Sequence, residues 1–178
     1  MDKKQIRSTV KKIREGLSES EVELMSDIIV KKALSLNGID KFYTFFIYND
    51  FKNEVKTSFL INRLKELNKS VCFPLIKGET MLAVTPINNN FEKDAFGILT
   101  PTEYNVVSKV DVAFVPLIAC DVNKNRIGFG KGYYDKFLKD KNVLKIGLCY
   151  DFQVVDSVNA EPCDVPLDVI VTEKRVIY

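Results

Sequence analysis

The run Arg126-Ile-Gly-Phe-Gly-Lys-Gly-Tyr-Tyr-Asp-Lys-Phe-Leu138 concentrates the residues best able to do chemistry. Gly128, Gly130 and Gly132 alternate around Lys131, and Tyr133, Tyr134 and Asp135 follow before a helix-like pattern begins. Glycine tolerates positive φ and lets the backbone approach a ligand closely, and the first turn of a helix offers unpaired N–H groups. The arrangement reads as an anion cradle with an aromatic wall. Lys131 is placed to reach terminal phosphates, and Asp135, one turn on, to hold a magnesium ion bridging them. The spacing is neither G-x-x-x-x-G-K-[ST] nor G-x-G-x-x-G, so the glycines alone leave a plain tight turn open as the alternative. The stretch Asp111-Val-Ala-Phe-Val-Pro-Leu-Ile-Ala-Cys-Asp121 favours a ligand, because it reads as one continuous buried strand. Open α/β sheets bind ligands at the carboxyl ends of such strands.

Histidine is absent from all 178 residues. That excludes Ser/His and Cys/His nucleophile pairs, imidazole acid–base work and His-ligated zinc, leaving carboxylates, lysine, tyrosine, backbone dipoles or a hard metal. The net charge of +2, with 28% charged and 46% hydrophobic residues, is that of an ordinary globular domain and gives no ground for a nucleic-acid or membrane surface. The longest apolar runs have strand length, and Met1-Asp-Lys-Lys4 opens onto a helical pattern without the apolar core of a signal peptide, so a cytoplasmic protein is expected. Cys72, Cys120, Cys149 and Cys163 form no C-x-x-C pair and read as reduced thiols.

The elements that must position the glycine run follow from periodicity. Ile6, Val10, Ile13 and Leu17 form an apolar stripe on a basic first helix over 3–17, with Lys3, Lys4, Arg7, Lys11, Lys12 and Arg14 on its solvated remainder. Ser18-Glu-Ser-Glu21 has the capping-box pattern and opens a second helix, which Gly38 stops. Phe42 to Tyr48 is a strand, Phe59, Leu60, Leu64 and Leu67 share a helix face, and Val71 to Pro74 is the next strand, together a parallel βαβ unit. Met81 to Ile87 is a further strand, expected at an edge, and Asn88 to Ser108 reads as a long surface loop and a candidate for substrate contact. Val143 to Tyr150 and Asp168 to Thr172 are strands, the second expected to be the last. One α/β domain over 1–178 is expected, a three-layer, Rossmann-like sandwich whose mainly parallel sheet carries helices on both faces.

The loop Arg126 to Asp135, preceded by Val115-Pro116 and followed by Asp164-Val-Pro-Leu-Asp168 and Thr172-Glu173, resembles that of the 5-formyltetrahydrofolate cyclo-ligase family, also called 5,10-methenyltetrahydrofolate synthetases. The likeness extends over nearly the whole chain, including the basic first helix and Glu54-Val-Lys-Thr57. It implies ATP- and magnesium-dependent cyclisation of 5-formyltetrahydrofolate, with or without a polyglutamate tail, by a monomer or weak homodimer. It also implies that Lys3, Lys4 and Arg7 reach ATP from the first helix and that Arg126, Ile127, Gly128, Phe129, Gly130, Lys131, Gly132, Tyr133 and Tyr134 wrap the nucleotide. Tyr48 and Glu54, with Phe129, Gly130, Lys131, Gly132 and Tyr133, would contact folate, and Asp135 and Asp168 would hold Mg²⁺. Lys131 is expected to touch the transferring phosphoryl group, and one of Tyr133 and Tyr134 to pack inward while the other faces ligand. Two other classes stay open: a regulatory protein that binds ATP without acting on folate, and an isomerase or CoA-transferase-like enzyme using Glu54.

Overall fold

The computed structural model describes residues 2–88, 90–93 and 97–178. Helix α1 (Lys3–Glu15) starts at a capping box between Asp2 and Gln5, and α2 (Glu19–Leu34) at the one expected from Ser18 and Glu21. Strand β1 (Thr44–Ile47), helix α3 (Ser58–Glu66) and strand β2 (Ser70–Lys77) make the parallel βαβ unit. Strand β3 (Thr80–Pro86) turns back from β2. The region expected to be a long loop instead holds β4 (Phe91–Lys93) and β5 (Leu99–Pro101), paired with each other, and β6 (Tyr104–Val106), which covers β3 at the sheet edge. Polar, asparagine-containing composition hid three short strands there, each with only three residues to show alternation.

Strand β7 (Val112–Val115) ends at Pro116, so the run 111–121 is not one strand. Proline has no N–H to continue a central ladder. The chain instead leaves the sheet and forms a small hairpin from β8 (Ala119–Cys120) and β9 (Arg126–Ile127). Helix α4 (Tyr133–Leu138) follows the glycine loop, then β10 (Leu144–Leu148), β11 (Val169–Val171) and a final antiparallel β12 (Val176–Ile177) beyond the strand expected to be last.

The sheet runs β12-β11-β10-β7-β1-β2-β3-β6, with β11, β10, β7, β1 and β2 parallel. Alternation divides its two faces. Phe45, Ile47, Phe114, Ile146 and Val171 pack with Ile29, Val30 and Ala33 of α2 and Leu60 and Leu64 of α3. Phe46, Ala113, Val115 and Ile170 point the other way, where the cover is Leu138 of the six-residue α4 and extended chain bringing Leu117 and Leu167. Helix α1 sits on the β8–β9 hairpin through Ile6 and Val10 against Ile118, Ala119 and Ile127. Among the described residues no helix is long and apolar enough to cross a membrane.

Chain order reverses between β1 and β7. From β1 the chain moves through α3 to β2 on one side, and from β7 through α4 to β10 on the other. The connections at that switch point part to opposite faces and leave a crevice at the carboxyl ends of the strands.

Candidate active site

Two loops enter that crevice. Tyr48 to Glu54 leaves the carboxyl end of β1, and the glycine run follows Ile127, whose carbonyl accepts from Ile118 N, three residues past the end of β7. Gly130 and Gly132 take φ of +92° and +68°, a region that favours glycine. Arg7 Nε donates to Gly128 O at 2.9 Å and clasps the loop from α1. One turn further along α1, Lys11 Nζ lies 5.1 Å from the centre of the half-exposed Phe129 ring. Lys131 at the crest of the loop is exposed, as is Lys4 on α1. Arg7, Lys11 and Lys131 thus meet around one loop.

Other expected residues are engaged within the protein. Arg126 is 6% exposed and its Nη2 donates to Asp135 Oδ1 at 2.8 Å, an oxygen that also accepts from Val165 N at 3.0 Å. Burial pulls the Arg126 pKa down, against the opposing fields of Asp135 and Asp164. Ile127 is buried under α1. Lys3 Nζ donates to Glu161 Oε1 and Asp164 Oδ2, both at 2.8 Å. Burial would lower the Lys3 pKa, but the bonds to Asp164 and Glu161 outweigh it and the net direction is upward. Both tyrosines pack on the same core: Tyr134 lies 6.2 Å from Phe46 ring to ring, and Tyr133 OH donates to Gly78 O at 3.5 Å. Tyr134 is the deeper of the two, its phenol pushed up by burial, while the Tyr133 hydroxyl reaches Gly78 at an exposed contact.

Among the described residues Asp135 and Asp168 share no partner. Asp168 immediately precedes β11, accepts from Lys145 N at 2.7 Å and pairs with Lys145 Nζ at 2.9 Å, beside the start of β10. The carboxylate that neighbours Arg126 along with Asp135 is Asp164. Magnesium keeps most of its waters and takes only one or two protein carboxylates beside phosphate oxygens. Asp135, partly exposed with both its protein bonds on one oxygen, fits that role; Asp168 also keeps one oxygen open, but Lys145 holds the other at the amino end of β10, away from the crevice at the carboxyl ends. Among the described residues no three acidic or cysteine side chains converge into a cage.

At the other end of the crevice Tyr48 is buried, its OH donating to Val55 O at 3.5 Å. Glu54 is 5% exposed, accepts from Phe51 N at 3.0 Å through Oε2, and faces Arg14 Nη1 at 3.6 Å through Oε1. Burial, opposed chiefly by Arg14, pushes the Glu54 carboxyl up to about 7. Strand β5 is tied to this loop, Asn49 Nδ2 donating to Leu99 O at 2.7 Å. Sequence reading placed Arg14 on a solvated face and gave Glu161 and Asp164 no part. Ile13 is 48% exposed while Arg14 is 3% exposed, so the buried stripe is Ile6, Val10, Arg14 at steps of four. A charge at the third of those positions is the signal that was available for it.

The chain that carries this glycine loop, basic helix and buried carboxylate matches known proteins over nearly its whole length. The sequence model of the 5-formyltetrahydrofolate cyclo-ligase family matches residues 1–173. The chain belongs to that family. A relative from Haemophilus influenzae, named 5-formyltetrahydrofolate cyclo-ligase, is 32% identical over 186 aligned positions, spanning 95% of this chain and 97% of its own. One from Mycoplasma genitalium with the same name is 39% identical over 70% of this chain and 69% of its own. The fold agrees with the solution structure of Aquifex aeolicus 5,10-methenyltetrahydrofolate synthetase at a TM-score of 0.87 and 34% identity, covering 99% of this chain and 92% of that one. The synthetase from Mycoplasma pneumoniae gives 0.80 at 27% identity over 97% and 99%. Family membership makes the chain an enzyme of the ligase class acting on a folate.

Proposed function

We propose that this chain cyclises 5-formyltetrahydrofolate to 5,10-methenyltetrahydrofolate, converting ATP to ADP and phosphate in the cytoplasm. The observation that carries the proposal is the meeting of the glycine loop and the Glu54 loop at the carboxyl ends of β7 and β1, where strand order reverses. A nucleotide on the first and a pterin on the second would bring phosphate and formyl group together.

The chemistry asks for little beyond that. A formamide oxygen is a poor leaving group, so it must first be activated. The formyl oxygen attacks the γ-phosphorus, the bond to ADP breaks, and the other folate nitrogen closes on the formyl carbon. Phosphate then leaves with the oxygen, and the nitrogen's proton passes to water. Both nucleophiles belong to the substrate, which suits a protein without histidine; positioning and charge balance do the rest. A unit charge pair at about 4 Å is worth about 4 kcal/mol at an effective dielectric near 20, before desolvation. A triphosphate therefore calls for several cations. Lys131 and Arg7 are assigned to the phosphates, with exposed Lys4 beside them and Lys3 and Arg126 joining once their present partners yield. Asp135 would hold Mg²⁺, which supplies neutralising charge on the phosphate oxygens.

The test is a near-ultraviolet absorbance assay of methenyl product from 5-formyltetrahydrofolate and Mg²⁺, with and without ATP. Product formed only with ATP is expected. A folded protein that binds ATP yet forms no product would support the regulatory reading instead, and turnover without ATP would favour the Glu54-based enzyme.

A further inference from the structure

The far end of α1 meets the folate side of the crevice as its near end meets the glycine loop. Arg7, Lys11 and Arg14 recur at steps of four and three, so one helix face carries all three. Arg14 and Glu54 are 3% and 5% exposed, yet at 3.6 Å they attract without forming a hydrogen bond. Arg14 Nε and Nη1 and Glu54 Oε1 have no hydrogen-bond partner. The backbone holds the two elements in register, because Asn53 Nδ2 donates to Arg14 O and Leu17 O, both at 3.0 Å. A buried ion pair is seldom better for stability than an apolar one, and an incomplete pair is worse. Retaining open donors and an open acceptor in such a place makes sense where a ligand completes the set.

We infer that Arg14 is a positioning residue for the folate half of the reaction: it keeps Glu54 ionised and turned so that its carboxylate accepts N–H donors from the substrate's ring. The inference rests on the cyclo-ligase reading and names a residue for it. Glu54 Oε2 is oriented by Phe51 N, Oε1 is unfilled, and a cyclic amidine edge with two adjacent N–H groups matches a carboxylate so presented. The groups facing Glu54 are Arg14 and Lys11 from α1, Asp50 from its own loop, and the phenols of Tyr48, Tyr134 and Tyr150 from β1, α4 and the end of β10. Arg14 is the largest of the influences that favour its charge. Without it, burial and Asp50 would keep the carboxyl protonated at neutral pH and unable to accept from those donors.

The experiment compares wild type with R14Q, R14M and R14K, measuring KM for 5-formyltetrahydrofolate and for ATP across the neutral range, while ¹³C NMR follows the Glu54 carboxyl in the ligand-free protein. R14Q and R14M should raise the folate KM about tenfold or more at neutral pH, the scale of one charge-assisted hydrogen bond, and leave the ATP KM within about twofold. The pH midpoint of folate kcat/KM and of the NMR titration should move up by about one unit or more. R14K should return the midpoint toward that of wild type. An unchanged folate KM and midpoint in R14Q and R14M overturns the inference, as does a parallel rise in both KM values. Should those variants fail to fold, R14K decides: it should keep the Glu54 midpoint near that of wild type yet raise the folate KM more than the ATP KM, and a folate KM unchanged from wild type, or a rise confined to ATP, overturns the inference. Wild type that makes no methenyl product removes the cyclo-ligase reading itself, whereas active wild type with indifferent Arg14 variants removes only this inference.

Discussion

Gly132 separates what the loop needs in backbone freedom from what it needs in space. Its φ of +68° caps the start of α4, and a Cβ built there meets nothing within 4 Å. Alanine would clash with no neighbour but must hold a left-handed conformation at a cost of about 1–2 kcal/mol. Asparagine tolerates that region better, and a β-branched valine much worse. For a chain of this size each kcal/mol moves Tm by about 2–4 °C, so Gly132→Ala should lower it by about 2–8 °C if the loop keeps its shape. If the loop instead relaxes, the same free energy reappears as weaker nucleotide binding, by a factor of about 5–30. Thermal unfolding with and without ATP, together with ATP KM, would be measured for the Asn, Ala and Val variants, and damage should rise in that order. An alanine variant matching wild type in both Tm and ATP affinity would refute the reasoning, as would asparagine proving no milder than valine.

Lys131 is exposed, so Lys131→Ala should leave Tm unchanged while turnover falls by about two orders of magnitude, the scale of a lost transition-state donor; undiminished turnover would strip Lys131 of that role. In β10, a Cβ on Gly147 would come within 2.6 Å of Leu167 Cδ1 and 2.8 Å of Leu117 Cδ2, so Gly147→Ala should destabilise by about 1–3 kcal/mol in denaturant titrations. Stability also carries a pH signature from Glu54, whose carboxyl is raised from 4.5 to about 7 on folding. The native state then binds more protons than the unfolded one between those values, so its contribution falls as pH rises through that window. Urea midpoints of wild type and Glu54→Gln measured across it should diverge, with the decline confined to wild type; parallel curves would rule the shift out.

The fold was legible wherever an element buries a regular pattern. The second capping box, the βαβ unit and the strands at 144–148 and 169–171 follow from local spacing, since hydrogen-bond pattern and burial there agree with sequence period. The break at Pro116 was written in the sequence but overridden by the apolar run around it, and the strands within 88–108 were too short to show alternation. In the candidate site, the glycine loop and Glu54 stood out by residue type. What did not show were the charge pairings made across the fold: Lys3 with Glu161 and Asp164, Arg126 with Asp135, and Arg14 with Glu54. A lysine or arginine on an amphipathic helix reads as solvated until the partner arriving from a distant segment is known.

The clasp of α1 on the glycine loop has a temporal side. Arg7 and Gly128 are 121 residues apart, and Lys3 and Asp164 are 161 apart. Closing such long loops adds little entropy beyond that of shorter ones, but non-local closure is slow to form. At synthesis rates of about 5–20 residues per second, α1 leaves the ribosome roughly 6–24 s before the loop it grips. During that interval Ile6 and Val10 have no hairpin to cover them, so the first helix made is among the last to dock. A growing chain can assemble its β1–α3–β2 unit early, but nucleotide affinity should appear only near the end of translation, when the carboxyl-terminal third has been delivered to a helix made at the start.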